Sequence, residues 1–230
     1  MKSPELIVTG DGSHSLLNPQ LNETYHSVHG AVRESRHVFI QEGLAYWTER
    51  NAGSVSILEI GFGTGLNALL ALEFSQNTER EIYYHTLEAY PLESTVYSQL
   101  NYGEKIMGRE WLTRLHEAPW GTRHAMTERF TIKKDKERLQ DLEIDAAGYD
   151  LVFFDAFAPS RQPEMWELPV LQKVVAGLRP SGVFVTYCAR GQVKRDLRGL
   201  GLVLETLPGP PGKKEMIRAI ADFTKSPDSL

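Results

Sequence analysis

One cysteine, Cys188, stands in 230 residues, so no internal disulfide can staple the chain, and a reducing compartment fits it. Nothing approaches the roughly 18 consecutive apolar residues that span a bilayer. Met1-Lys2-Ser3-Pro4-Glu5 runs into only a short apolar stretch, not the h-region of a leader. A cytoplasmic location with no membrane partner is the expectation. Positive charge is not in excess: 25 Lys and Arg face 30 Asp and Glu, for a net −5 and a pI near 5.8. That excludes coating of nucleic acid by bulk charge and leaves room for a local basic face. There is no G-x-S-x-G elbow, and Cys188 lies in an apolar run that suits the core better than a nucleophile. Among the seven histidines, His14, His26, His29 and His37 lack a ligand spacing with Cys or acid partners, so no metal is expected.

What is present reads as one globular domain over 1–230. Hydrophobic content is 41% and charged content 24%, ordinary for a chain with a full-sized core. ELIVT at 5–9 suggests a short strand, and 34–50 a helix ended at Gly53. From there strands and helices alternate: strands at Val55–Ile60, Glu81–Leu87, Arg129–Lys133, Tyr149–Phe154 and Val183–Cys188, with helices at Leu66–Phe74, Leu92–Leu100, 104–116 and 164–178 between them. Such alternation predicts an α/β fold, doubly wound on a mostly parallel sheet. After a short helix at Gly191–Gly199, Leu202–Leu207 and Glu215–Ala221 are joined by Pro208-Gly209-Pro210-Pro211-Gly212, too short a link for a parallel crossover. An antiparallel edge strand is therefore expected. Residues 1–53 read as an N-terminal extension shaping the substrate side, and 54–230 as a Rossmann-like core.

The first strand of that core ends in Glu59-Ile60-Gly61-Phe62-Gly63-Thr64-Gly65 and leads into an apolar helix that carries Asn67. Glycine permits positive φ and close approach of backbone to a ligand, and the helix start offers free N–H groups. Dinucleotide sites usually show G-x-G-x-x-G, with a pyrophosphate at the helix. Here the spacing is one residue shorter and an acid stands two residues upstream. That suits S-adenosylmethionine, a ligand without phosphate whose carboxylate, amine and sulfonium lie along the turn. Glu88 ends the second strand, 23 residues after Gly65, and an acid there can accept hydrogen bonds from both ribose hydroxyls. Ala89 follows it. A nicotinamide or flavin oxidoreductase is the alternative from another class, and a non-catalytic binding protein retaining the fold is a further one.

The fourth strand ends in Asp155, followed by Ala156-Phe157-Ala158-Pro159. Strand carboxyl ends face the ligand crevice in such sheets. A carboxylate can orient an ammonium, take its proton and stabilise charge on nitrogen during an in-line displacement. Phe157 can stack on a flat ring, and Pro159 stiffens the loop. A methyl acceptor with an amine is the expectation, from a small molecule or a nucleic acid. Trp166 and Met165 read as core. Between Arg190 and Arg218 seven basic side chains face three acidic ones, a local excess that could meet phosphates.

Together these stretches resemble the methyltransferase domain of the MnmC-type tRNA wobble-uridine modification enzymes. The resemblance rests on Gly61-Phe62-Gly63-Thr64-Gly65-Leu66-Asn67, Leu87-Glu88-Ala89-Tyr90-Pro91-Leu92 and Asp155-Ala156-Phe157-Ala158-Pro159…Pro163-Glu164-Met165-Trp166. Further matches are Tyr25-His26-Ser27, Glu34-Ser35-Arg36-His37-Val38-Phe39 and Gly209-Pro210-Pro211-Gly212-Lys213-Lys214-Glu215-Met216. It implies transfer of a methyl group from S-adenosylmethionine to 5-aminomethyl-(2-thio)uridine of tRNA, with tRNA as the partner. It implies Asp155 as the catalytic aspartate and Glu88 as the ribose-binding acid, and Asp135 near the adenine amino group. Glu59, Gly61, Phe62, Gly63, Thr64, Gly65, Asn67 and Ala89 complete the expected cofactor side. Tyr25, Arg36, Phe157, Pro159, Arg190 and Lys213 are the expected substrate side. The family's flavin-dependent oxidoreductase part has no second glycine fingerprint here, which implies a stand-alone methyltransferase domain. Lys134-Asp135 replaces the family's Gly-Asp, and His26 and His37 replace aromatic residues.

Overall fold

The computed structural model describes residues 3–222, so the single-domain reading of 1–230 extends beyond the described residues at both ends. Three short strands open the chain, β1 (Glu5–Val8), β2 (His14–Asn18) and β3 (Glu23–Thr24), paired antiparallel as a small separate sheet. β2 and β3 lie between the expected strand at 5–9 and the expected helix at 34–50, where the sequence marked no element. A continuous helical run follows: α1 (Ala31–Ser35), a π-helical stretch (Arg36–Ala45) and α2 (Tyr46–Thr48). Gly53, at φ 85°, turns the chain into the core as its residue type suggested.

The core begins with β4 (Val55–Ile60), α3 (Leu66–Thr78) and β5 (Ile82–Leu87), then α4 (Ser94–Tyr97), α5 (Tyr102–Lys105) and α6 (Arg109–Glu117). The expected helix over 104–116 is thus two helices, because the chain breaks at Gly108, whose φ of 111° no helix accommodates. The helix expected at Leu92–Leu100 shrinks to one turn. β6 (Arg123–Thr127), unforeseen in the sequence, and β7 (Phe130–Asp135) form an antiparallel pair. β8 (Tyr149–Phe154) has the expected bounds, and a 3₁₀ turn (Pro163–Met165) precedes α7 (Leu168–Ala176), which starts late because Pro169 fits a first turn. β9 (Leu178–Thr186) absorbs Arg179–Gly182, expected as a loop, into a register shift against β8. α8 (Gly191–Gly199), β10 (Leu202–Pro208) and β11 (Glu215–Ala221) finish the described chain.

Among the described residues, eight strands form the main sheet in the order β10-β11-β9-β8-β4-β5-β7-β6. The five central strands, β9 to β7, pair parallel, and the flanking pairs are antiparallel. An antiparallel border was expected at one edge; the sheet has one at each. Side chains alternate between faces along each strand. Ile57, Tyr84, Leu151 and Phe153 therefore pack with the 31–48 helical run and α3. Leu58, Val152, Phe154 and Phe184 pack on the other face with α7 and α8. β4 leads outward in one direction through β5 and in the other through β8. This reversal of winding opens a crevice beyond the carboxyl ends of β4 and β8, where Gly61–Gly65 and Asp155 stand.

Candidate active site

A cavity of about 1140 Å³ occupies that crevice. The glycine turn forms its floor. Gly61, at φ 95°, lets the β4 loop pass the β8 loop so closely that a Cβ there would lie 3.1 Å from the Asp155 carbonyl oxygen. At Gly63, φ 48°, an added Cβ would meet the Tyr25 ring at 3.2 Å. A side chain at either place would fill the cradle. The Gly63 N–H donates to Glu88 Oε2 at 3.0 Å, and the Tyr90 N–H to Oε1 at 2.9 Å. Both oxygens are aimed by backbone and keep lone pairs for a ligand. Burial pushes the Glu88 carboxyl up in pKa although these amides oppose it.

Thr64 is gripped twice. His26 Nε2 meets its hydroxyl at 2.7 Å, and His116 Nε2–H donates to its carbonyl at 3.1 Å. Burial lowers both imidazoles to a pKa of about 4, so they are neutral at pH 7. Phe62 packs under the turn against His116 and Trp120. Lys134, fully buried, donates to the His116 carbonyl oxygen at 2.6 Å and lies over Trp120.

Asp155 enters from the side. Asn67 Nδ2 donates to its Oδ2 at 2.8 Å. Burial, then the charge of Glu34, lifts the Asp155 carboxyl to a pKa of about 7, against the Asn67 hydrogen bond and the Lys213 charge. Phe157 meets Tyr25 edge-on at 5.0 Å between centroids. Lys213 donates to Glu34 Oε1 at 2.6 Å and lies 3.6 Å from the centre of the Tyr187 ring.

Of the residues expected from sequence, Gly61, Phe62, Gly63, Thr64 and Asn67 line the cavity, as do Glu88, Ala89 and Asp155. Tyr25, Phe157 and Lys213 line it from the acceptor side. The structure sets the others apart. Gly65 caps α3 in left-handed geometry, and Glu59 lies fully buried beneath the floor. Asp135 Oδ2 is taken by His85 and Lys133, each at 2.7 Å, and residues 136–140 line the wall beside it. Arg36 turns to α3 and pairs with Glu73 at 2.7 Å. Pro159 and Arg190 line an adjoining depression of about 420 Å³, which shares Tyr187 and Lys213 with the cavity. The basic tract is partly neutralised: Lys194 pairs with Glu215, and Arg218, buried, with Glu42 and Glu205. Glu34, Glu23, His26 and Tyr187 line the cavity without having been singled out as site residues.

Fold and site define a class of enzyme. A family model described as S-adenosyl-L-methionine-dependent methyltransferase matches residues 105–222, and the chain belongs to that family. The glycine turn lies outside the matched span, so the two observations are separate. The cofactor fits the residues present: the acids nearest the turn, Glu88 and Asp155, suit a cationic ligand without phosphate.

Individual relatives narrow the class. The chain is 29% identical over 219 residues to the tRNA 5-methylaminomethyl-2-thiouridine biosynthesis bifunctional protein MnmC of Cupriavidus necator, covering 90% of this chain and 32% of that protein. The protein of the same name from Acinetobacter baylyi is 28% identical, over 93% of this chain and 37% of its own length. The chain thus spans about a third of the length of the curated relatives it matches. The crystal structure of MNMC2 from Aquifex aeolicus superposes with a TM-score of 0.77 at 26% identity, covering 95% of this chain and 70% of that one.

Proposed function

We propose that this chain methylates the primary amine of 5-aminomethyl-(2-thio)uridine at the tRNA wobble position, giving the 5-methylaminomethyl form. The observation that carries the reading is Asp155, a carboxyl poised at a pKa of about 7 beside the glycine turn. The names of the relatives, which refer to 5-methylaminomethyl-2-thiouridine in tRNA, support the acceptor.

S-adenosylmethionine, when bound, supplies a methyl group on a positively charged sulfur. Gly61, Gly63 and Thr64 would hold its amino-acid end, and Glu88 would accept from its ribose hydroxyls. Asp155 draws in the acceptor ammonium and takes its proton, which frees the nitrogen lone pair for in-line attack. At its usual pKa of 3.8 the carboxyl would be a poor proton acceptor; raised to about 7 it is matched to the task. Tyr25 and Phe157, packed edge-on, offer one aromatic wall to the flat base, Lys213 sets the charge around Asp155, and the N-terminal segment through Glu34 walls the acceptor side. A single methyltransferase domain over residues 1–230, working in the cytoplasm, is part of the reading.

The test offers labelled cofactor to the purified protein with three acceptors: tRNA bearing 5-aminomethyluridine, the same tRNA unmodified, and the free 5-aminomethyl nucleoside. Label in the first alone is the expected result. Equal labelling of the free nucleoside would move the reading to small amines, and labelling of unmodified tRNA would overturn the amine acceptor.

A further inference from the structure

Glu59 carries the acid that precedes the glycine turn, yet it does not reach the cavity. It is fully buried, with Thr86 Oγ1 donating to Oε2 at 2.6 Å. Its other oxygen has no hydrogen-bond partner among the described residues, although the Tyr84 hydroxyl and the Asn67 amide are its neighbours. Strand alternation explains the company. Ile57 and Glu59 of β4, Tyr84 and Thr86 of β5, and Phe153 followed by Asp155 share one sheet face, covered by α3. Asn67, the second residue of α3, stands between the two carboxyls and donates to Asp155.

We propose that Glu59 is a positioning residue that holds Asn67, and through it Asp155, instead of touching the cofactor. The inference rests on the reading of Asp155 as proton acceptor. Charge and hydrogen bonding both support it. Glu59 faces Asp155, Asn67, Tyr84 and Thr86, with no cation in that set; Asp155 faces Glu34, Tyr102, Tyr187 and also Lys213. Two carboxyls flanking one amide, one fully buried and one at the cavity wall, do not both ionise cheaply. Lys213 favours the charge on Asp155, and the proton stays on Glu59, whose carboxyl burial pushes up to about 8.

A protonated Glu59 has an O–H to give, and Asn67 Oδ1 is a buried acceptor without a partner. That contact would fix which edge of the amide faces Asp155. Nδ2 then stays on Asp155 Oδ2, and Asp155 Oδ1 is left for the acceptor nitrogen. A cofactor ligand would have to be charged and exposed to the cavity; a positioning residue has to be neutral and long enough. Glu59 has the second set of properties.

Glu59→Gln and Glu59→Asp in the full chain separate the two roles. Calorimetry gives cofactor affinity, and carbon-13 NMR of labelled Asp side chains gives the Asp155 titration. Gln keeps length and a donor while removing the ability to ionise, so cofactor Kd should stay within about twofold and Asp155 should titrate as in wild type. Asp keeps the carboxyl and loses reach, so Kd should hold while Asp155 titrates about half a unit or more higher; methyl transfer should fall about tenfold. Weakening of cofactor binding by about tenfold in Glu59→Gln would overturn the proposal, as would an unshifted Asp155 in Glu59→Asp. Should Glu59→Asp not fold, the near-isosteric Gln variant decides alone. Binding and titration need no acceptor, so absence of wild-type methyl transfer would sink the proposed function while leaving this result readable.

Discussion

Lys213 and Glu34, 179 positions apart in sequence, meet at 2.6 Å and tie the β10–β11 turn to the helical run beside the cavity. Both charges act on Asp155: Glu34 raises its pKa and Lys213 lowers it. Lys213→Met should therefore move the acid limb of the kcat/KM profile to higher pH, and Glu34→Gln should move it to lower pH. Lys213→Met should also cost about 2–4 kcal/mol in urea unfolding, since it leaves a buried carboxylate without its cation. Superimposable profiles for the two variants would show that the pair only fastens the fold.

Asp155 itself sets activity and stability against each other. In the free protein kcat/KM should rise through a pKa of about 7, far above the carboxyl's ordinary 3.8. The sign for stability is opposite. A folded-state pKa raised above the unfolded one gives stability that is fully present below about pH 4 and is lost as pH rises through about 7. Asp155→Asn should lose about 10²–10⁴-fold in rate while unfolding at higher urea than wild type at pH 8. The stability difference should vanish by pH 4. A variant no more stable at pH 8 would mean that Asp155 is not strained by its burial.

The two histidines on Thr64 predict an acid response at the cofactor end. His26 and His116 have folded-state pKa values of about 4, below their ordinary 6.5, with burial the main cause. Stability from neutral imidazole is present above about 6.5 and is lost as pH falls toward 4. Cofactor affinity, measured by calorimetry from pH 7 to 4, should hold to about pH 5 and fall toward pH 4, as the buried imidazoles against Thr64 take on charge. His26→Gln, which stays neutral and keeps a hydrogen-bonding group near Thr64, should flatten part of that fall. An unchanged pH dependence in this variant would remove His26 from the explanation.

The strands of the core were legible because each is a short apolar run bounded by turn residues; Val55–Ile60 and Glu215–Ala221 have the bounds read from sequence. β6 was missed because Arg123–Thr127 is mostly polar and half exposed, with neither alternation nor an apolar run to mark it. The glycine turn and Asp155 were legible because their chemistry is local. Arg36 shows where local reading stops. Glu34 and Arg36 belong to the same stretch, but two helical residues point about 200° apart, so Glu34 faces the cavity and Arg36 faces Glu73. Choosing between them needed the helix's rotation on the sheet, which a single sequence does not carry. Asp135 failed to reach the wall for a similar reason: its neighbours His85 and Lys133 engage its carboxylate from the flanking strand and from its own.

The most direct test is mass spectrometry of wobble nucleosides from tRNA bearing 5-aminomethyl-2-thiouridine, after incubation with S-adenosylmethionine and either wild-type protein or Asp155→Asn. Conversion to 5-methylaminomethyl-2-thiouridine by wild type, with the aminomethyl nucleoside left intact by the variant at pH 7, is the expected result. No product from wild type, or equal product from both proteins, would contradict the assignment of Asp155 and of the amine it serves.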